Sequence, residues 1–221
     1  MLTHCEIISH GIFLNDHPWS AWPGAEDFDT LKNSGAAVAH CPTVFRRRGV
    51  TMNIFGRYLR NSIPMGIGTD TYLNNILEEI RHALITSRII SKNPYDLRTT
   101  TAFDAATTGG AVKLGMDNIG KLSPGMKSGL FMADITHREM RLLRDPLASL
   151  IYVSGERAVT ETFVDGKALM RDGALTTFDL DDALDGLEAA QARAAKIFQT
   201  LDFRNRTHDE AAPINHLRGT S

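Results

Sequence analysis

The sequence predicts an α/β fold built on parallel strands, and two observations carry that reading. Three apolar stretches end in a residue able to ligate a metal or move a proton: Ile7-Ile8-Ser9-His10, Ala36-Ala37-Val38-Ala39-His40 and Met65-Gly66-Ile67-Gly68-Thr69-Asp70. The ends fall at positions 10, 40 and 70, an interval that fits one strand, a crossover helix and the return. Each interval also carries a helical apolar pattern. Parallel strands joined by right-handed crossovers point the same way, so the residues that end them gather at one end of the sheet. His10, His40 and Asp70 are therefore expected to be neighbours in space.

The crossovers follow in order. Ala25 to Ser34 carries Phe28 and Leu31 at i, i+3 and stops at Gly35. Met52, Phe55 and Leu59 mark the apolar face of a second helix that ends near Asn61-Ser62. The third, Ile76 to Ser91, has Leu77, Ile80 and Leu84 on one stripe and Glu78 four residues before His82. Asn93-Pro94 closes it, because the residue before a proline is pushed out of the helical region. A further helix is expected over Thr101 to Leu114, broken at Gly109-Gly110 and ended by Gly115.

Beyond residue 118 the pattern changes. Short β-type runs from Ile119 to about Phe178 alternate with the turn signals Ser123-Pro124-Gly125, Asp145-Pro146, Ser154-Gly155, Asp165-Gly166 and Asp172-Gly173. Asp165-Gly166, between Thr162-Phe163-Val164 and Lys167-Ala168-Leu169-Met170, reads as a tight hairpin. Leu184, Leu187, Ala194 and Phe198 then give a final amphipathic helix over Asp181 to Gln199, with a loose polar tail after Arg204. The expected organisation is thus 1–118, 119–178 and 179–221.

Composition narrows the function classes. A chain of 221 residues with 43% hydrophobic content and net charge −2 suits a packed globular protein without a basic surface for nucleic acid or anionic membrane. The run Arg46-Arg47-Arg48 reads as a solvated loop, or as an anion contact beside the strand ends. Cys5 and Cys41 sit beside apolar strands and form no CxxC pair, which fits reduced thiols. No signal-like or membrane-length apolar run is present, so a cytoplasmic protein is expected.

The motifs His10-Gly11-Ile12-Phe13-Leu14, Ala39-His40-Cys41-Pro42-Thr43 and Gly66-Ile67-Gly68-Thr69-Asp70, followed by Asn75-Ile76-Leu77-Glu78-Glu79-Ile80-Arg81, resemble the later barrel strands of the amidohydrolase superfamily. Within it they most resemble the cytosine-deaminase and triazine-hydrolase branch, which includes enzymes of the ethylammeline chlorohydrolase type. Ile119-Gly120-Lys121-Leu122-Ser123-Pro124-Gly125 and Thr162-Phe163-Val164-Asp165-Gly166-Lys167 resemble that family's flanking β-sandwich. The resemblance implies the last three strand–helix units of a (β/α)₈ TIM barrel, a small β-sandwich segment and a C-terminal helix.

It also implies a chemistry: metal-dependent hydrolysis of a carbon–nitrogen or carbon–chlorine bond of a heterocyclic or amidine-like small molecule. By resemblance Asp70 ligates the metal and takes a proton from the attacking water, and His10 orients or polarises the substrate. His40 and Asn75 lie near the substrate. A divalent cation, zinc first and iron second, would lower the pKa of bound water to about 7, and a nearby carboxylate and neutral imidazole suit the two remaining roles. Taken singly, His10 or His40 reads more readily as a hydrogen-bonded core residue than as a ligand, and Asp70 equally well as a helix cap.

The family pattern also needs a His-x-His pair and a further His that this sequence does not contain. His4, His17, His82, His137, His208 and His216 have no matching context. Gly129 stands where the family usually has Asp, Val44-Phe45 where it often has Ser-Asn, and Asn74 where relatives show His. Three units cannot close a barrel, so exposed sheet edges are expected, covered by a missing N-terminal half or by homo-oligomerisation. A catalytically inactive remnant that only binds is the alternative. A free-standing open α/β domain is a third reading, weakened by the lack of a glycine-rich phosphate loop.

Overall fold

The computed structural model describes residues 6–71, 74–141 and 143–211. Strands β1 (Ile7–Ser9), β2 (Ala37–His40) and β3 (Met65–Ile67) form a parallel sheet in the order β1-β2-β3. The register pairs Ile8 with Val38 and Val38 with Met65. Because side chains alternate along a strand, Val38, His40, Met65 and Ile67 share one face. All four are buried. Ile7 and Ser9 point to the other face and are exposed, as expected of an uncovered edge strand.

The crossovers follow the apolar spacing. Helix α1 (Glu26–Ser34) buries Phe28 and Leu31 and ends at Gly35, whose φ of 76° suits a residue without a Cβ. A short helix α2 (Pro42–Arg46), not foreseen, starts directly after β2 because Pro42 supplies the fixed φ of a first helical position. Helix α3 (Phe55–Arg60) begins at Phe55, so Met52 is buried from the preceding loop and not from a helix. Helix α4 (Ile76–Ser91) has the predicted bounds. Its cap is Asn75, whose side chain accepts the Glu78 N–H at 3.2 Å, and it buries Leu77, Ile80, Ala83 and Leu84. Each fully buried aliphatic side chain of that stripe contributes roughly 1.5–3 kcal/mol.

The next helical stretch breaks elsewhere than expected. Helices α5 (Thr99–Ala106) and α6 (Thr108–Lys113) meet at Thr107, and Gly109 and Gly110 lie inside α6. Gly109 is there for close approach: a Cβ would stand 3.0 Å from the Asp104 carbonyl oxygen and 3.2 Å from that of Met65.

The expected run of β structure after residue 118 is only partly present. Strands β4 (Leu130–Ala133), β5 (Val159–Val164) and β6 (Lys167–Arg171) pair antiparallel in sequence order. Asp165 and Gly166, with φ of 51° and 78°, make the predicted hairpin turn. Between β4 and β5, however, Arg138–Met140, helix α7 (Pro146–Ser149), Leu150–Ser154 and Gly155–Ala158 are helical turns. Asp145-Pro146 is a helix start, not a turn between strands: the Asp145 carboxylate accepts the Ala148 N–H at 3.0 Å. The apolar run Leu150-Ile151-Tyr152-Val153 is strand-like in propensity. It is held as a helical turn because Leu150 and Ile151 pack into the same core as Leu77, Ile80 and Leu84, and the Arg81 guanidinium donates to the Ile151 carbonyl at 2.6 Å.

Contacts divide the chain after Gly173, where the composition shift suggested 118 and 178. The first unit has one core, drawn from both sides of residue 118. The second, residues 174–221, contains β7 (Ala174–Leu175), α8 (Leu180–Leu201) and α9 (His208–Ala211). Asp179 caps α8 by accepting the Asp181 and Asp182 N–H groups. In the tail expected to be loose, Arg206 donates twice to the Asp202 carboxylate. His4, Cys5 and His216 lie outside the described residues. Among those described, no helix is long and apolar enough to cross a membrane.

Candidate active site

The three strand ends meet, in two different ways. His10 and Asp70 both adopt left-handed backbone, with φ of 67° and 56°. Their strands are two apart in the sheet, about 10 Å by ordinary strand spacing. The two turns nevertheless bring His10 Nε2 within 3.4 Å of Asp70 Oδ2. The ladder continues past the strands to hold both turns: His10 N–H donates to the Ala39 carbonyl at 2.7 Å, and Gly68 N–H to that of His40 at 3.0 Å. The His10 ring stands edge-on to Phe45 at 4.7 Å, and Phe45 in turn to Phe13 at 5.4 Å. Both polar side chains stay partly open to solvent. Such backbone costs of order 1 kcal/mol per non-glycine residue. Asp70 does not cap α4, since Asn75 does.

His40, at the end of the central strand, is only 3% exposed. Its ring lies 5.8 Å from that of Phe55, and its Nδ1 has no hydrogen-bond partner. Burial drives its pKa down to about 4, against a smaller upward pull from a hydrogen bond with the His10 backbone. At neutral pH it is an uncharged imidazole packed beside helix α3. Asn75 does two structural jobs: besides capping α4, its amide donates to Glu156 Oε2 at 2.7 Å and so holds that carboxyl below its ordinary range. It also lines a cavity of about 770 Å³ together with Asn74, Phe131, Glu156 and Arg157.

A third group of polar residues was not singled out from the sequence. Glu79 is fully buried on α4, and its Oε2 accepts the Thr43 N–H at 3.0 Å. Burial pushes its carboxyl upward, and Oε1 has no partner. Thr43 Oγ1 lies 2.7 Å from His82 Nδ1, while His82 Nε2 lies 3.0 Å from Glu78 Oε1. Arg81 pairs with the other Glu78 oxygen at 2.8 Å. The i, i+4 pairing of Glu78 with His82 was legible from spacing. The link to the β2–α2 turn was not, because it joins residues far apart in sequence.

The metal that the family resemblance implies can be tested against these donors. Among the described residues no group of three or more His, Cys, Asp or Glu converges to hold an ion. Cys41 is no substitute: burial, then the Asp70 and Glu79 charges, push its thiol up to about 11, so it is neutral at pH 7. A catalytic zinc site usually has three protein ligands and an open position. The described residues do not make that site by themselves.

Parallel β/α units that bring an imidazole and a carboxylate together beyond the carboxyl ends of their strands define an α/β protein. The chain belongs to the amidohydrolase family, whose sequence profile matches residues 1–169. It is 28% identical over 183 residues to the 5-methylthioadenosine/S-adenosylhomocysteine deaminase of Pyrococcus abyssi, covering 81% of this chain and 41% of that protein. The enzyme of the same name from Pelotomaculum thermopropionicum is 27% identical over 175 residues, covering 77% and 40%. Among solved structures, a zinc-bound adenosine deaminase from Xanthomonas campestris superposes with a TM-score of 0.75 at 24% identity, over 87% of this chain and 43% of that one. The atrazine chlorohydrolase of Arthrobacter aurescens TC1, complexed with zinc, gives 0.73 at 22% identity, over 85% and 41%. The amidohydrolase-type α/β fold and the triazine-hydrolase likeness expected from the motifs are thus found. The chain spans about 40% of the length of the curated relatives it matches.

Proposed function

We propose that this chain supplies the His10–Asp70 portion of a metal-dependent amidohydrolase active site, which removes the exocyclic amine of a nitrogen heterocycle of the aminopurine kind. The observation that carries the reading is the 3.4 Å approach of His10 Nε2 to Asp70 Oδ2 across the end of β2. Net hydrolysis replaces the C–NH₂ bond with C–OH and releases ammonia, so a proton must leave the attacking water and reach the departing nitrogen. Asp70 is the acceptor for the first transfer. His10, within reach of Asp70 and steadied by Phe45, polarises the ring atom under attack or passes the proton on. Asn75 and His40 act behind this pair: Asn75 on the wall of the large cavity, His40 as a buried neutral ring at the end of β2.

In this reading the zinc or other divalent ion requires ligands from polypeptide beyond the residues described, whether an N-terminal half or another chain. Relatives more than twice as long as the matched segment support it. A binding remnant without activity is the second reading, favoured by the lack of a converging ligand group among the described residues.

The protein purified from its source cells separates the two by intact mass, metal content and ammonia release from adenosine. The expected result is about one metal per active site and ammonia release that Asp70→Asn lowers by about 10²–10⁴-fold, the usual worth of a positioned proton acceptor. A 24.3 kDa species that binds no metal and releases no ammonia would establish the remnant reading instead.

A further inference from the structure

Helix α8 carries an apolar seam that the folded chain leaves open. None of its 22 residues is buried, and Leu180, Leu184, Leu187 and Leu201 are between 47 and 76% exposed. The seam runs through Leu180, Leu184, Leu187, Gln191, Ala194, Phe198 and Leu201, in alternating steps of four and three. Such steps average about 3.5 residues, the repeat of a seam that faces another helix along its whole length, whereas the stripe of a helix lying on a globular core follows about 3.6 and is wider. The helix lies outside residues 1–169, the segment that the family profile matches, and carries none of the residues assigned to hydrolysis. We propose that α8 pairs antiparallel with α8 of a second copy of this chain, making a two-fold symmetric dimer.

Size complementarity selects the register. Setting Leu184 against Leu201, Leu187 against Phe198 and Gln191 against Ala194 of the second copy brings large side chains together at both ends. At the middle, the small Ala194 leaves room for the Gln191 carboxamide. The two-fold axis then passes between the Gln191 amides of the two copies, which can bond to each other, and a polar residue at such a position fixes register. Phe198 is half-buried, with the His208 ring edge-on to it at 5.7 Å, and the rest of it is open to the second copy. Charge selects the direction. Residues 180–190 include Asp181, Asp182, Asp185 and Glu188 and no base, while residues 191–201 include Arg193 and Lys196 and no acid. A parallel pair would place the acidic halves side by side. The antiparallel pair places each beside a basic half and opposes the two helix dipoles.

Sedimentation equilibrium of the 221-residue chain over about 1–100 μM tests the pairing. The expected result is a mass that rises with concentration towards twice 24.3 kDa. Leu187→Asp should raise the dissociation constant by at least about 100-fold, because a two-fold contact carries the substitution on both sides and each carboxylate would be buried unpaired. Ala189→Asp adds the same charge on the opposite side of the helix and should change the constant by less than about threefold. Where Leu187→Asp loses the native circular-dichroism spectrum, Leu201→Asp, at the more exposed end of the seam, carries the same comparison. Oxidation of an equimolar mixture of Leu184→Cys and Leu201→Cys reads the direction: peptide mass spectra should show position 184 linked to position 201. A monomer at the highest concentration, a dimer that the seam variant leaves intact, or links chiefly from 184 to 184 would overturn the proposal.

Discussion

The central strand and its two neighbours end in polar residues with opposite fates. β1 and β3 finish in left-handed turns that lift His10 and Asp70 into partly open positions, facing each other. β2, flanked on both sides, keeps His40 in regular register, buried and neutral. Residues with the same sequence phase thus divide into a partly open pair and a buried ring. What separates them is strand position and backbone: His40 stays in extended register on the face of the buried Val38, while positive φ turns His10 and Asp70 out of it.

The largest test of that contrast is pH. His40 has a lowered folded pKa, so the unfolded chain takes up a proton near 6.5 while the native chain does not until about 4. Stability from this residue is therefore fully present above 6.5 and is lost as pH falls towards 4, on the order of 3 kcal/mol in total. Glu79, with a raised carboxyl pKa, works with the opposite sign, costing stability as pH rises above its unfolded value. Urea midpoints for the native chain and His40→Gln between pH 4 and 7 isolate the histidine: the native chain should show the steeper acid loss. Parallel curves would mean that His40 is not buried as a neutral ring.

Next in size is packing. Val38, wholly buried on β2, should lose about 2 kcal/mol as Val38→Ala, whereas Ile7→Ala at the 39% exposed edge should cost less than about 0.5 kcal/mol. Equal losses in denaturant unfolding would show that a further chain covers the β1 edge in solution.

Asn75→Ala should cost about 1 kcal/mol through loss of the α4 cap. Because the same amide holds Glu156, thermal unfolding of Asn75→Ala in a Glu156→Gln background should show a smaller loss if the two act as a unit. Asp70→Gly is the smallest effect and has the opposite sign. Relief of the positive φ should raise stability by about 0.5 kcal/mol while removing the carboxylate proposed for proton transfer. A loss of stability would mean that the His10 contact outweighs the backbone strain.

Elements set by local forces alone are legible in the sequence. The stripe of Leu77, Ile80 and Leu84, closed by Asn93-Pro94, specified α4 because burial of one face and a proline stop are both local in sequence. Asp165-Gly166 specified its hairpin because only a few residue types tolerate two positive φ angles in succession. At Leu150–Ser154 strand propensity yields to packing against α4, and Gly109 makes an approach to β3 that no local pattern encodes.

The sequence by itself determined the three parallel units and the phase that gathers His10, His40 and Asp70, since apolar periodicity and turn chemistry are properties of neighbours along the chain. Only the tertiary structure decided that His10 and Asp70 meet while His40 is buried, that Asn75 is a cap, and that Glu79 reaches the turn after β2. These depend on how strands sit side by side and on which face the helices cover. Desolvation and contact distance are set there, and linear spacing does not contain them.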